Sequence, residues 1–177
     1  MIFTETVLPG AYVIEPKRIN DDRGYFARVW CKQELKEHGL KSDMVQSNVG
    51  FSHQKGTLRG LHFQRAPHAE VKFVRCTRGA IFDVIVDLRP ESSSRYHWFG
   101  IELSEENGRM LYVPEGFAQG YITLADNTEM NYHTSAPFNA DAASGVRYSD
   151  PAIGIRWPFS PAVISEQDRN WPLIERQ

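Results

Sequence analysis

The sequence predicts an all-β fold, a sandwich or barrel with short helical additions. Three observations carry this expectation. Between Val71 and Leu88, Phe82, Val84, Val86 and Leu88 alternate with Ile81, Asp83, Ile85 and Asp87, a period of two held over eight residues. Further strand-like runs recur at spacings of roughly 8 to 12 residues between clusters of Gly, Pro, Asn and Asp, the rhythm of a sandwich or barrel. Strands and helical patterns do not alternate, which argues against doubly wound and α/β-barrel architectures.

Along the chain, the first predicted strand is 10–15. Lys32–His38 is the one good helix candidate, and Gly39 closes it, because glycine enters the left-handed C-cap conformation without a Cβ penalty. Strands follow at 44–52 and 57–63. The stretch VKFVRCTRGAIFDVIVDL, from Val71 to Leu88, reads as two strands about a turn at Thr77, Arg78 and Gly79. Four more are predicted at 97–103, 109–113, 119–124 and 128–134. The tail after Asp150 holds four of the ten prolines, which cannot donate to a ladder, so it is expected to wrap the barrel as irregular structure.

A chain of 177 residues suits one domain, and no linker, repeat or low-complexity segment divides 1–177. With 41% hydrophobic and 12% aromatic residues, it buries enough surface to offset chain entropy, which excludes disorder. Twenty Lys and Arg against 22 Asp and Glu give a net charge of -2, so nothing favours nucleic-acid or membrane binding. Two cysteines, Cys31 and Cys76, supply neither a disulfide framework nor a four-cysteine zinc site. No apolar run nears the roughly 20 residues of a membrane helix. The start Met1-Ile2-Phe3-Thr4-Glu5 lacks signal-peptide character, and a cytoplasmic protein is expected.

The segment 56–64, GTLRGLHFQ, concentrates the candidate chemistry. In an extended strand Arg59, Leu61 and Phe63 face one way, and Gly60, His62 and Gln64 the other. Lys72, placed on the next strand within an apolar run, is a lysine with a partner or a task, or one that snorkels from a strand end. With Glu70 and the segment VPEGFAQG (113–120), these residues resemble the two-part pattern of the cupin barrels. Metal-binding cupins carry several histidines there; this chain has His62, Gln64 and Gln119. Neutral amides are poor ligands for divalent transition metals, so the pocket reads as metal-free and a metal-dependent oxygenase is disfavoured.

Six segments then occur in order: RGLHFQ (59–64), VKFVRC (71–76), GAIFDVIVDLR (79–89), LYVPEGFAQG (111–120), YSDPAIGIRWP (148–158) and ISEQD (164–168). With them the chain, from DDRGYF (21–26) through Asp168, resembles the dTDP-4-dehydrorhamnose 3,5-epimerase family. The resemblance implies a cupin-type jelly-roll β-barrel with short peripheral helices. It implies a cofactor-independent isomerase that inverts C3, C5 or both in a nucleotide-linked 4-keto-6-deoxy sugar through an enolate. Such chemistry needs a base on one face of the sugar, an acid on the other and a cation near the keto oxygen.

By resemblance, His62 is the base, Asp168 its partner, Lys72 the cation and Tyr132 the acid. Arg23 and Arg59 match positions that hold the diphosphate, and Gln46 and Asn48 positions that hold the nucleotide; the aromatic rings of Phe26 and Tyr25 are suited to stack on a base or simply to pack. A homodimer is implied, with an N-terminal strand crossing so that Arg23 and its neighbours enter the other subunit's site. Without the family, Tyr132 reads as a packing residue and Asp168 as a solvated carboxylate or turn residue.

Five positions depart from the family pattern: Arg28 stands at a usual glutamate, Gln119 at a histidine, Phe138 at a tyrosine, Ala143 at a glutamate and Gln167 at a lysine. The expected consequence is an active epimerase on an altered substrate: another nucleotide, another sugar, or inversion at C3 only or C5 only. Two readings from other classes stay open, a non-catalytic sugar-nucleotide binding module and a carbohydrate-binding jelly roll.

Overall fold

The computed structural model describes residues 1–174 and resolves the alternating pattern into two sheets packed face to face. In chain order the elements are β1 (Ile2–Glu5), β2 (Tyr12–Glu15), β3 (Arg18–Asp21), β4 (Gly24–Ala27), α1 (Lys32–Glu37), β5 (Gln46–Ser52), β6 (Thr57–Gln64), β7 (Lys72–Arg78) and β8 (Ala80–Asp87). They continue with β9 (Trp98–Ser104), β10 (Met110–Val113), β11 (Phe117–Thr123), β12 (Thr128–Thr134), β13 (Ala143–Gly145), β14 (Val163–Ile164) and α2 (Glu166–Arg169). The first sheet runs β1-β2-β10-β7-β12-β5; the second runs β13-β6-β11-β8-β9, with β14 parallel to β6. This is the expected all-β, cupin-like jelly roll.

Every strand expected from periodicity is present, with ends shifted by two residues at most. The elements not anticipated are β1, the β3–β4 hairpin, β13, β14 and α2. Each is two to four residues long, too short to show a period. The tail is otherwise irregular, as its prolines imply.

Apolar side chains fill three layers. Between the sheets lie Val74, Cys76, Leu111 and Val113 from one side and Ile81, Ile85, Leu103 and Tyr121 from the other. Outside the first sheet, Leu35 of α1 packs on Ile14, Phe73 and Tyr112. Outside the second, the tail residues Ile153, Ile155 and Trp157 cover Leu61, Val84 and Val86. Each fully buried Ile or Leu contributes about 1.5–3 kcal/mol relative to exposure. The tail explains the composition of β8: its outward residues are apolar because the tail buries them, while on the other face Asp83 is held by Gln119 and Asp87 by Arg89, Ser92 and Ser94.

Two local features place the site. The turn at Gly79 carries the chain from one sheet to the other, so Lys72 stands opposite His62 and not beside it in a shared ladder. Lys72 does lie on the next strand of the chain, as expected, but sequential strands of a jelly roll commonly belong to different sheets. The second feature is an irregularity between β6 and β11, where Gln119 pairs with His62 but Tyr121 pairs with Arg59. Two residues on β11 span three on β6, so the alternation slips at Gly60. Arg59 and His62 therefore line one cavity while Leu61 joins the outer layer, against the simple period of two. The close approach demands glycine on both strands. Gly60 has φ +131°, and a Cβ there would lie 2.5 Å from the Gly120 Cα; a Cβ on Gly120 would lie 2.7 Å from the Arg59 carbonyl oxygen.

Candidate active site

Between the sheets opens a cavity of about 660 Å³ lined from both sides. The second sheet contributes Arg59, His62 and Gln119, and the first contributes Gln46, Asn48, Lys72 and Tyr132. The tail closes one wall with Gln167, Asp168 and Trp171.

His62 projects from β6 with 44% of its side chain exposed to this space, while the Asp168 side chain is only 7% exposed. The imidazole Nε2 lies 2.6 Å from Asp168 Oδ1. Asp168 is held by a short helix with Ser165 at its N-cap, whose hydroxyl accepts the Asp168 N–H at 3.1 Å. Its other oxygen accepts the Gly60 N–H at 3.2 Å. Burial raises the Asp168 carboxyl, but hydrogen bonds and charge from His62, with those from Gly60 and the Trp171 indole, outweigh it and leave the carboxyl below its ordinary value. An ionised Asp168 only accepts, so His62 Nε2 carries a proton, and in the neutral ring the free lone pair is on Nδ1.

Lys72 enters from the opposite sheet, nearly buried. Its ammonium donates to the His62 carbonyl at 3.0 Å and pairs with Glu70 at 3.5 Å. Burial lowers its pKa and the Glu70 charge opposes that shift. Behind it, Asp83 accepts a 2.5 Å hydrogen bond from the Gln119 amide, and burial pushes its carboxyl up to about 7 against the pull of Gln119 and Lys72. Tyr132 lies on β12 between Asn48 and Val74. Its phenol is raised by burial and by the Glu70 charge, so it holds its proton more firmly than a free tyrosine.

His62 and Tyr132 thus line the cavity from opposite sheets, and the Lys72 ammonium lines it with them. The cavity presents an imidazole on one wall, a phenol on the other and an ammonium, groups able to accept a proton, donate one and stabilise negative charge. Among the described residues, no group of three or more His, Cys, Asp or Glu could hold a metal ion, and no helix is long and apolar enough to cross a membrane.

The outer positions divide into two sets. Arg59, Gln46, Asn48, Gln119, Phe138, Ala143 and Gln167 all line the cavity. The Arg59 guanidinium donates to Ser52 Oγ at 3.3 Å and to the Phe51 carbonyl at 3.0 Å, which orients it along the rim. Arg23, Phe26 and Arg28 do not line the cavity of their own chain. Arg23 forks onto Asp21 at the tip of the β3–β4 hairpin, and Phe26 is 69% exposed there. Arg28 pairs with Glu34 at 2.9 Å, and Glu34 also binds the N-terminal ammonium at 2.5 Å. The Arg28 guanidinium is therefore paired within its own chain, on a carboxylate it shares with the N-terminal ammonium. Trp171 was not anticipated; a large aromatic beside ISEQD in a polar tail was its only signal, since such a ring must find a seat.

The family model described as dTDP-4-dehydrorhamnose 3,5-epimerase matches residues 5–176. The chain is 45% identical over 177 residues to the dTDP-4-dehydrorhamnose 3,5-epimerase of Methanothermobacter thermautotrophicus, covering 98% of this chain and 95% of that protein. It is 43% identical over 175 residues to that of Sinorhizobium fredii, covering 98% and 90%. The crystal structure of the Bacillus anthracis dTDP-4-dehydrorhamnose 3,5-epimerase with TDP and PPi bound is similar at a TM-score of 0.94, with 42% identity over 98% of this chain and 99% of that one.

Proposed function

The chain belongs to the dTDP-4-dehydrorhamnose 3,5-epimerase family and is a nucleotide-sugar epimerase, and from that premise we propose that it inverts both C3 and C5 of a dTDP-linked 4-keto-6-deoxy sugar without a cofactor. The observation that carries this reading is the placement of His62 and Tyr132 on opposite walls of one cavity. His62 Nδ1 takes the proton from the carbon beside the ketone, the C–H electron pair moves into the new C=C bond, and the carbonyl π pair moves onto oxygen as an enolate. Lys72 neutralises that oxygen, and Asp168 stabilises the imidazolium. Tyr132 returns a proton to the opposite face, and the carbonyl re-forms with the configuration inverted. The ketone is the electron sink, so no further group is needed.

Arg59 suits one end of the diphosphate, and Gln46 and Asn48 suit the nucleoside. Arg23, Phe26 and Arg28 serve the site of a second copy in a homodimer. In support, the β3–β4 hairpin pairs only with itself and exposes Ile19 and Phe26, while the edge strand β5 exposes Val49. Residues 1–177 act as one epimerase domain, a reading supported by the span of the family match, and the enzyme works in the cytoplasm on a soluble substrate.

The test is turnover in D2O read by NMR at each carbon: deuterium enters at both C3 and C5. A second reading rests on Phe138, which lines the cavity without the phenol common there; exchange confined to one carbon selects it. In a competition assay dTDP displaces substrate better than UDP, GDP or CDP, because the Arg28 guanidinium is already engaged by Glu34; preference for another base restores the altered-nucleotide expectation.

A further inference from the structure

We propose that Trp171 is a positioning residue for the catalytic base: its indole N–H binds the same carboxylate oxygen that holds His62, and so sets both the orientation of the imidazole and its affinity for the abstracted proton. The inference rests on His62 being the base. Trp171 Nε1 donates to Asp168 Oδ1 at 3.1 Å, and His62 Nε2 lies 2.6 Å from that same atom. The rings meet edge-on, with centroids 6.2 Å apart.

The seat of the indole is built into the fold. Gly145 pairs with His62 across the β6–β13 ladder, and a Cβ at Gly145 would lie 2.3 Å from the indole ring. Only glycine leaves room for the ring against the strand that bears the base. On its other side, the Trp171 carbonyl accepts Arg147 Nε at 2.8 Å. The indole is thus fixed by a ring seat, a backbone contact and its bond to Asp168.

The chemistry follows from the shared oxygen. A donor on Oδ1 withdraws electron density from the atom that stabilises the imidazolium, so the pair holds a proton less tightly than an isolated His–Asp pair. The hydrogen bond from Trp171 is one of the contacts that lower the Asp168 carboxyl. Arg59 from β6, Glu70 and Lys72 from the start of β7, Tyr121 from β11 and Tyr132 from β12 face the same space, Asp83 stands behind Gln119, and Arg147 holds the Trp171 carbonyl. Trp171→Phe alters none of these charged or titratable groups and keeps a ring on Gly145.

The experiment follows the His62 imidazole by NMR through a pH titration, alongside the pH profile of kcat/KM. In Trp171→Phe the His62 midpoint and the acid limb both rise by about half a unit or more. Gly145→Ala, which expels the indole while leaving Trp171 in the chain, reproduces that shift. A folded Trp171→Phe protein with unchanged His62 titration overturns the proposal, because a merely structural ring alters stability and not the midpoint. If Trp171→Phe fails to fold, the wild-type indole N–H resonance decides: it must inflect at the His62 midpoint, and a flat response overturns the proposal. The parent reading is tested apart, since persistent exchange in His62→Ala removes the base itself, whereas loss of exchange there with no Trp171 effect refutes only the positioning role.

Discussion

His62→Ala lowers deuterium exchange at the substrate carbons by about 10²–10⁴-fold, the range lost when a positioned general base is removed, and leaves the fold in place. The imidazole stands at the cavity wall with 44% of its side chain exposed, so truncation opens no sealed void in the core. Asp168 keeps donors from the Gly60 amide and the Trp171 indole, so its buried carboxylate is not orphaned. The Asp168 carboxyl has a lower pKa in the folded chain than in the unfolded one. Its contribution to stability is present above about pH 4 and is lost as pH falls through the folded value. Removing His62 takes away the largest of the lowering contacts, so the variant unfolds less steeply in acid than the wild type. The measurements are an exchange time course in D2O and thermal melts across the acid range. Exchange near the wild-type rate in His62→Ala assigns the base to another residue.

The chain order of motifs carries much of this site, but not its handedness in space. His62, Lys72 and Tyr132 sit within strands whose periodicity is plain, and the structure brings all three to one cavity. What periodicity does not contain is which sheet a strand joins. VKFVRCTRGAIFDVIVDL reads as two strands about a turn, yet that turn crosses between sheets, and the crossing sets Lys72 against His62. Nor does alternation foresee its own interruption. The glycines at 60 and 120 permit a backbone approach that no ordinary residue tolerates, and this slip lets Arg59 and His62 share a wall. Asp168 shows the limit most clearly. Its local context is a polar tail, and only tertiary wrapping buries it beneath Gly60 and Trp171. The departures at Gln119, Phe138, Ala143 and Gln167 do all reach the cavity, so they alter its shape and polarity while sparing the proposed proton path.

Lys72→Met separates the electrostatic part of catalysis from the proton transfers. The expected loss in exchange rate is about 10²–10³-fold, comparable to removing one donor to a developing oxyanion, while nucleotide affinity changes little. The ammonium is almost enclosed and faces a low-dielectric space, where one charge stabilises an enolate far more than in water. Burial lowers its pKa, so its charge is lost below the usual lysine range and the wild-type rate falls there on the alkaline side. That variant also strands Glu70. One Glu70 oxygen is buried with no hydrogen-bond partner among the described residues, and the other pairs with Lys72. An uncompensated buried carboxylate costs roughly 3–5 kcal/mol, so Lys72→Met alone confounds a folding defect with a chemical one. Adding Glu70→Gln removes the stranded charge. The double variant regains most of the lost stability, measured by urea unfolding, yet exchanges as slowly as the single one. Recovery of exchange together with stability would show Lys72 to be structural; slow exchange in a restored fold leaves the enolate as the species its charge serves.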